Sequence, residues 1–365
     1  MFFKVRDLNS KTSVDYIIVG QGLAGSCLAL QLIKENKRIL VIDQFDEHSA
    51  TQAAAGLFNP VTGRVMSKTW KADTLFPYLH DFYREAEALT GSKFFHSMPL
   101  YRPFLSIEEQ NEWMGKSAQQ DFKDYIASVD THEAHAGLVK NPFGGLTLRQ
   151  AGWLDTAAFS QAVRQYILKH ELLLNDTFDE DLLVLKDEEI QYRNYSAHKI
   201  IFCQGVKALT GKLFSWIPIR PLKGETLTIQ TDVKIDTLYN RGVFVVPETG
   251  KVGATYQPND QQPTVTEAAR NELKSKLDEL VCFPYRIITQ SWGIRPTTPD
   301  RRPILGPHPE HPNAIFFNGL GTKGVSLAPY FSKVLAAWIE NKGAINKEVD
   351  IERYKHYNYG GNIPR

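Results

Sequence analysis

Gly20-Gln21-Gly22-Leu23-Ala24-Gly25 matches G-x-G-x-x-G, a spacing suited to holding a pyrophosphate against backbone N–H groups. Gly20 is expected to make a tight turn, Gly22 to let the diphosphate approach the backbone, and Gly25 to let helix and strand pack closely. Leu23 and Ala24 open the helix, whose free N–H groups and partial positive charge favour an anion. Asp43 follows Gly25 by 18 residues and is placed to accept hydrogen bonds from a ribose 2′-hydroxyl, with Gln44 beside it. An acidic residue there disfavours a 2′-phosphate, so the motif points to FAD or NAD rather than NADP.

The flanking pattern supplies the elements such a motif needs. Tyr16–Val19 is a short apolar run of strand type, Leu23–Glu35 reads as a helix stopped by Asn36, and Arg38–Asp43 is a second buried-strand run. Together they form one βαβ unit with two parallel strands. Further on, Asp155 reads as an N-cap before an apolar face of Phe159, Val163, Tyr166 and Ile167. Strands are expected at 171–174, 182–185, 190–195 and 199–203. Residues 221–257 alternate in β fashion and read as an antiparallel sheet. Residues 266–280 read as a helix whose charges form a solvated face, and 325–339 as a helix with Pro329 in its first turn.

Composition limits the remaining classes. The 365 residues are 42% hydrophobic and 23% charged with a formal net charge of +1, which excludes a disordered chain and argues against nonspecific coating of DNA or a membrane. Cys27, Cys203 and Cys282 are odd in number and far apart, suggesting neither a disulfide framework nor a zinc ribbon. His48, His308 and His311 lack a ligand-like arrangement, so loop or surface roles are expected. The N-terminal residues do not read as a signal peptide, and no apolar run is long enough to span a bilayer. A cytoplasmic protein without membrane association is the expectation.

Four further segments narrow the choice. They are Ala50-Thr51-Gln52-Ala53-Ala54-Ala55-Gly56, Ile200-Ile201-Phe202-Cys203-Gln204-Gly205, Trp292-Gly293-Ile294-Arg295-Pro296-Thr297-Thr298-Pro299-Asp300 before Pro303-Ile304-Leu305-Gly306, and Asn318-Gly319-Leu320-Gly321-Thr322-Lys323-Gly324. In this order, from about residue 15 to 342, they resemble the D-amino-acid oxidase and glycine oxidase family of FAD-dependent oxidoreductases. The last turn is most similar to the oxidase domain of the bifunctional enzyme that makes methylaminomethyl-thiouridine in tRNA. That domain reads G-L-G-S-R-G there, so Thr322 and Lys323 are departures.

The resemblance implies an α/β fold, α+β overall, with a Rossmann-like FAD-binding domain and an inserted antiparallel-sheet substrate domain. The boundaries drawn are 1–90, 147–222 and 291–365 for the FAD domain, and 91–146 with 223–290 for the substrate domain. Gln52, Ala54, Ala55, Gly56, Cys203, Gly205, Gly319, Leu320, Gly321, Thr322, Lys323, Gly324 and Arg295 join Gly20, Gly22, Leu23, Ala24, Gly25, Asp43 and Gln44 as cofactor-binding residues. Gly293 and Ala53 occupy the positions where relatives carry a residue for covalent attachment, so non-covalent FAD is implied. Arg295 matches the arginine that binds a substrate carboxylate, a role its planar fork suits. Phe244 and Tyr256 are candidates to complete the site. Lys251 stands where sarcosine oxidases carry a lysine that promotes reaction with oxygen, although a turn lysine commonly faces solvent. Arg64 borders the motifs without an assigned role.

The implied activity is hydride transfer from an amine-bearing carbon of a small amine or amino acid to flavin, with oxygen or another acceptor regenerating it. A tRNA substrate is an alternative, because Arg64, Lys68, Lys71, Arg220, Lys223, Arg301, Arg302 and Lys323 fall beside these motifs. A flavin-binding protein without amine chemistry is the third reading.

Overall fold

A computed structural model describes residues 11–62, 67–187, 189–258 and 260–358, so Arg64 lies outside the described residues. The chain divides into two compact units. One comprises Met1–Asp46, Ser160–Pro221 and Arg295–Arg365, and the other Glu47–Phe159 and Leu222–Ile294. Compared with the sequence-drawn boundaries, residues 47–90, 147–159, 222 and 291–294 fall in the second unit. For the first two stretches the reason is visible in their pairing: Leu57–Phe58 and Phe95–Ser97 both hydrogen-bond to Gly152–Leu154 in one small sheet.

The first unit is built on a six-stranded sheet. Across it run Leu173–Leu174, Ile39–Ile42, Tyr16–Val19, Lys199–Phe202, Ala314–Asn318 and Ile304–Pro307. Every neighbouring pair is parallel except the last. Tyr16–Val19 and Ile39–Ile42 are buried along their whole length, which is why each is a continuous apolar run rather than an alternating one. The connecting helix, Leu23–Lys34, is followed by Asn36 in the left-handed region at φ 58, a conformation asparagine tolerates better than most residues. This helix packs against the late helix Gly324–Ile339. Pro329 is the sixth residue of that helix, one turn deeper than the sequence suggests. The stretch 190–195 is also two strands, Ile190–Tyr192 and Tyr195–Ala197, because Arg193 at φ 53 turns the chain.

The second unit is organised around an eight-stranded sheet. Its order is Arg286–Thr297, Arg220–Gln230, Lys251–Gly253, Val243–Val245, Leu238–Arg241, Leu100–Pro103, Gly145–Leu148 and Ile126–Asp130. The pairings within 221–257 are antiparallel as expected, but Leu238–Arg241 joins Leu100–Pro103 in parallel. Successive side chains alternate between faces. One face carries Tyr101, Leu227, Tyr239, Val245 and Val252 into a core shared with Leu273 and Leu277 of the helix Glu267–Leu280. The register therefore places Thr226, Gly253, Phe244, Asn240, Arg102 and Leu146 in a row on the opposite face.

Candidate functional site

The glycine turn is tight enough to exclude side chains. Gly20 has φ +95, and a Cβ there would lie 2.7 Å from the carbonyl oxygen of Cys203. A Cβ on Gly25 would fall 1.9 Å from the carbonyl oxygen of Gly20. Strand, turn and helix are thus packed backbone to backbone, as the spacing predicts. Leu23 and Ala24 start the helix with Gly22 as N-cap at φ −72; no side chain caps it and no acid lies in its first turn. The late helix Gly324–Ile339 begins in the same way on Lys323, after the short helical turn Gly321–Lys323. Elsewhere, Ser106 and Thr266 cap the helices Ile107–Ser117 and Glu267–Leu280. Uncapped N–H groups at a helix start are available to an anionic ligand.

Asp43 is more occupied than its motif suggests. Its Oδ1 accepts the N–H of Gln21 at 2.9 Å and its Oδ2 accepts Nη1 of Arg164 at 2.8 Å. Arg164 also donates to Gln21 Oε1 at 3.1 Å, to the carbonyl oxygen of Asp43 at 3.3 Å and to Asn175 Oδ1 at 2.7 Å. One guanidinium thereby ties the glycine turn, the end of the second strand and the helix Thr156–Lys169 together. Each carboxylate oxygen retains a lone-pair site for a ribose hydroxyl. Gln44 is exposed and accepts the hydroxyl of Thr177.

The late motifs meet at a second joint. Asn318 Nδ2 donates to the carbonyl oxygen of Gly205 at 2.8 Å, while Asn318 Oδ1 accepts the N–H of Gly319 at 2.8 Å. Gly205, Gly319 and Gly321 all have positive φ. Leu320 is buried and Thr322 exposed, and burial beside Arg301 lowers the Lys323 ammonium from its usual range. Cys203 is buried, which pushes its thiol far up, so it is inert as a nucleophile.

In the second unit, Lys251 departs from the solvent-facing position. Its Nζ donates to the carbonyl oxygen of Ala54 at 2.9 Å, and burial lowers its ammonium from the usual range. The same carbonyl accepts Thr156 Oγ1 at 3.2 Å. Gln52 lies in the short helix capped by Ser49, Ala55 is buried, and a Cβ on Gly56 would stand 1.8 Å from the Leu154 carbonyl oxygen. Gly293 lies against Ala53: a Cβ added there would come 2.7 Å from that of Ala53, so the two positions associated with covalent attachment are neighbours. Arg295 stands near the end of the edge strand Arg286–Thr297. Phe244 lies over Gly253 on the sheet face opposite the one that packs on the helix Glu267–Leu280. Tyr256 is 64% exposed, where surrounding water leaves a phenol little leverage on a reacting atom.

Several of the basic residues read as phosphate-facing are already paired. Lys223 is fully buried against Asp260 at 2.6 Å and Glu225 at 3.5 Å, Lys68 pairs with Asp73 at 2.6 Å, and Arg302 with Glu348 at 2.8 Å. His308 is buried rather than superficial and stacks on His311. Among the described residues no helix is long and apolar enough to cross a membrane.

Residues 15–338 match the family described as FAD dependent oxidoreductase, nearly the whole chain. The chain belongs to that family. This oxidoreductase is 27% identical over 374 residues to the glycine oxidase of Bacillus licheniformis, covering 92% of this chain and 98% of the relative. It is 24% identical to the tRNA 5-methylaminomethyl-2-thiouridine biosynthesis bifunctional protein of Acinetobacter baylyi, spanning 92% of this chain and 54% of that protein. Its fold resembles the crystal structure of iminodiacetate oxidase from Chelativorans sp., with a TM-score of 0.75 at 20% identity over 93% of this chain and 98% of that one.

The residues present fit an FAD dinucleotide. The cradle at Gly20 and Gly25 admits no Cβ, the helix above it starts uncapped, and Asp43 stands beside it with hydrogen-bonding capacity left. Sequence reasoning missed two members of this surround. Arg164 carries no motif and reaches Asp43 across 121 residues, a contact only the fold reveals. Asn318 lay inside a quoted motif, but its link to Gly205 spans 113 residues.

Proposed function

We propose that this FAD-dependent oxidoreductase oxidises a C–N bond of a small amine or amino acid bearing a carboxylate. The observation that carries the reading is Arg295, two residues beyond Gly293 on the strand Arg286–Thr297, in a chain matched along its length to FAD-dependent oxidoreductases. FAD, when bound, supplies a two-electron acceptor for hydride leaving the carbon that carries the amine. The protein's own task is positioning. Gly20, Gly22 and Gly25 with the first helix hold the diphosphate, Asp43 the adenosine ribose, and the turn 319–324 the flavin end of the cofactor. The Arg295 guanidinium holds the substrate carboxylate in a bidentate grip and so fixes which C–H bond is presented. Gly293 and Ala53 have no group able to bond covalently to the cofactor, consistent with non-covalent binding.

Lys251 is assigned to reoxidation. Its ammonium, partly desolvated and tethered to the Ala54 carbonyl oxygen, provides a positive charge that favours oxygen as it takes on electrons. The product imine hydrolyses in water without a protein group. The activity therefore demands little acid–base chemistry from the chain.

The test is Arg295→Ala measured against small carboxylated amines. FAD content is expected to stay unchanged while kcat/KM falls by the equivalent of about 3–5 kcal/mol, the usual cost of removing one partner of a buried charge pair. Unchanged kinetics would remove Arg295 from the site.

A further inference from the structure

Within the first unit, Arg164 belongs to no motif, yet its guanidinium joins three segments around the glycine turn. Nη1 donates to Asp43 Oδ2 at 2.8 Å and to Gln21 Oε1 at 3.1 Å, and Nη2 donates to Asn175 Oδ1 at 2.7 Å and to the Asp43 carbonyl oxygen at 3.3 Å. The N–H groups of both terminal nitrogens are thereby spent on the protein itself. Gln21, inside the glycine motif, is buried and held at each polar end. Its backbone N–H goes to Asp43 Oδ1 at 2.9 Å and its Oε1 takes Arg164, while Nε2 donates to Ser26 Oγ at 2.9 Å and to the Ser160 carbonyl oxygen at 3.0 Å. Ser160 and Arg164 are one turn apart on the helix Thr156–Lys169, so that helix grips the glycine turn at two points.

The consequence falls on Asp43. One of its oxygens is held by the backbone of the turn and the other by the guanidinium, so the plane of the carboxylate is fixed from two directions. Each oxygen keeps one acceptor site, and the fixed plane decides where those sites point. The side chains of Asp43 and Arg164 are only 21% and 11% exposed, so water does little to support either charge and each depends on the other. A diphosphate held on the same turn would repel a bare carboxylate, and the guanidinium offsets that repulsion. With its terminal N–H groups committed, Arg164 acts on a ligand through Asp43 and Gln21.

We propose that Arg164 is a positioning residue for the adenosine end of FAD, setting the Asp43 carboxylate so that its remaining acceptor sites read the ribose hydroxyls. This rests on FAD binding and is independent of which amine the enzyme oxidises. The flavin-free full-length protein would be titrated with FAD and with an FAD analogue whose adenosine ribose lacks both hydroxyls, read by flavin fluorescence and by competition between the two. Wild type is expected to favour FAD roughly 10- to 100-fold, the range for hydrogen bonds to a charged acceptor. In Arg164→Met, which keeps the stem and removes every donor, that ratio is expected to fall to within about threefold, and adding Asp43→Ala to it is expected to lower the ratio no further. Arg164→Lys, which restores a charge without the fork, is expected to recover part of the ratio and serves as the test if Arg164→Met does not fold. A turn that was merely loosened would weaken both dinucleotides equally. An unchanged ratio in the variants, or equal affinity for both dinucleotides in wild type, overturns the role of Arg164 and leaves FAD binding standing. A wild-type protein that takes up neither overturns both.

Discussion

A methyl group at position 25 would meet the Gly20 carbonyl oxygen at 1.9 Å, and neither backbone can yield without moving the turn proposed to hold the dinucleotide. Gly25→Ala is therefore expected to give a folded protein that loses most of its FAD on dialysis, checked by visible flavin absorbance per mole of protein. Full retention would mean that the turn does not hold the dinucleotide. The glycines were legible in the sequence because a tight backbone approach selects one residue type. Arg164 was not, because an arginine on an amphipathic helix looks like any solvated cation until Asp43 and Gln21 are seen beside it. Lys251 shows the converse: exposure habits pointed outward, and its bond to Ala54 reverses that expectation. Tyr256, read with Phe244 as a bulky side chain that could complete the site, is 64% exposed.

At the scale of elements, period and punctuation carried the reading where each element is closed by its own sequence. Asp155 caps its helix as expected, its Oδ1 accepting the N–H of Ala158 at 3.0 Å. The helix Glu267–Leu280 buries Ala269, Leu273, Leu277 and Leu280 and pairs Lys274 with Asp278 and Lys276 with Glu272 on its outer side. Its N-cap, Thr266, does double duty: Oγ1 accepts the N–H of Ala269 at 3.2 Å and donates to the fully buried Glu225 at 2.9 Å. Thr266→Ala is expected to cost about 1–2 kcal/mol by losing the cap and one carboxylate partner, read from denaturant unfolding. No change in midpoint would contradict this. What the pattern could not give was pairing between distant strands. The parallel contact between Leu238–Arg241 and Leu100–Pro103 joins segments whose local sequence is indifferent to strand direction.

For the whole molecule, unit limits fall inside the helix Thr156–Lys169 and the strands Arg220–Gln230 and Arg286–Thr297, where no break shows in the sequence, and the sequence-drawn boundaries and the units differ at 47–90, 147–159, 222 and 291–294. Ionisation gives a second molecule-wide property. Burial lowers His80, with Arg84 adding to it, and burial also lowers His308 and His135. Burial pushes the Glu87 and Glu109 carboxyls up, but the N–H groups of Phe94 and Phe95, and Arg241, respectively, outweigh it and hold them below the usual range. In each case the unfolded chain binds protons more readily, so stability falls with pH, from about 6.5 downward through the histidines and below about 4 through the carboxylates. Asp350, raised by burial, works in the opposite sense. Thermal melts at saturating FAD are expected to show a falling midpoint between about pH 6.5 and pH 3. A flat profile would mean that these groups meet the same surroundings folded and unfolded.

The visible spectrum of the purified protein under anaerobic conditions, before and after addition of glycine, sarcosine and carboxymethyl-modified tRNA in turn, reaches the central claim most directly. The account predicts a yellow protein whose flavin bleaches with a small carboxylated amine. Bleaching by tRNA alone, or by none of them, would contradict the proposed substrate class, and a colourless protein that takes up no FAD would contradict the reading from Gly20 onward.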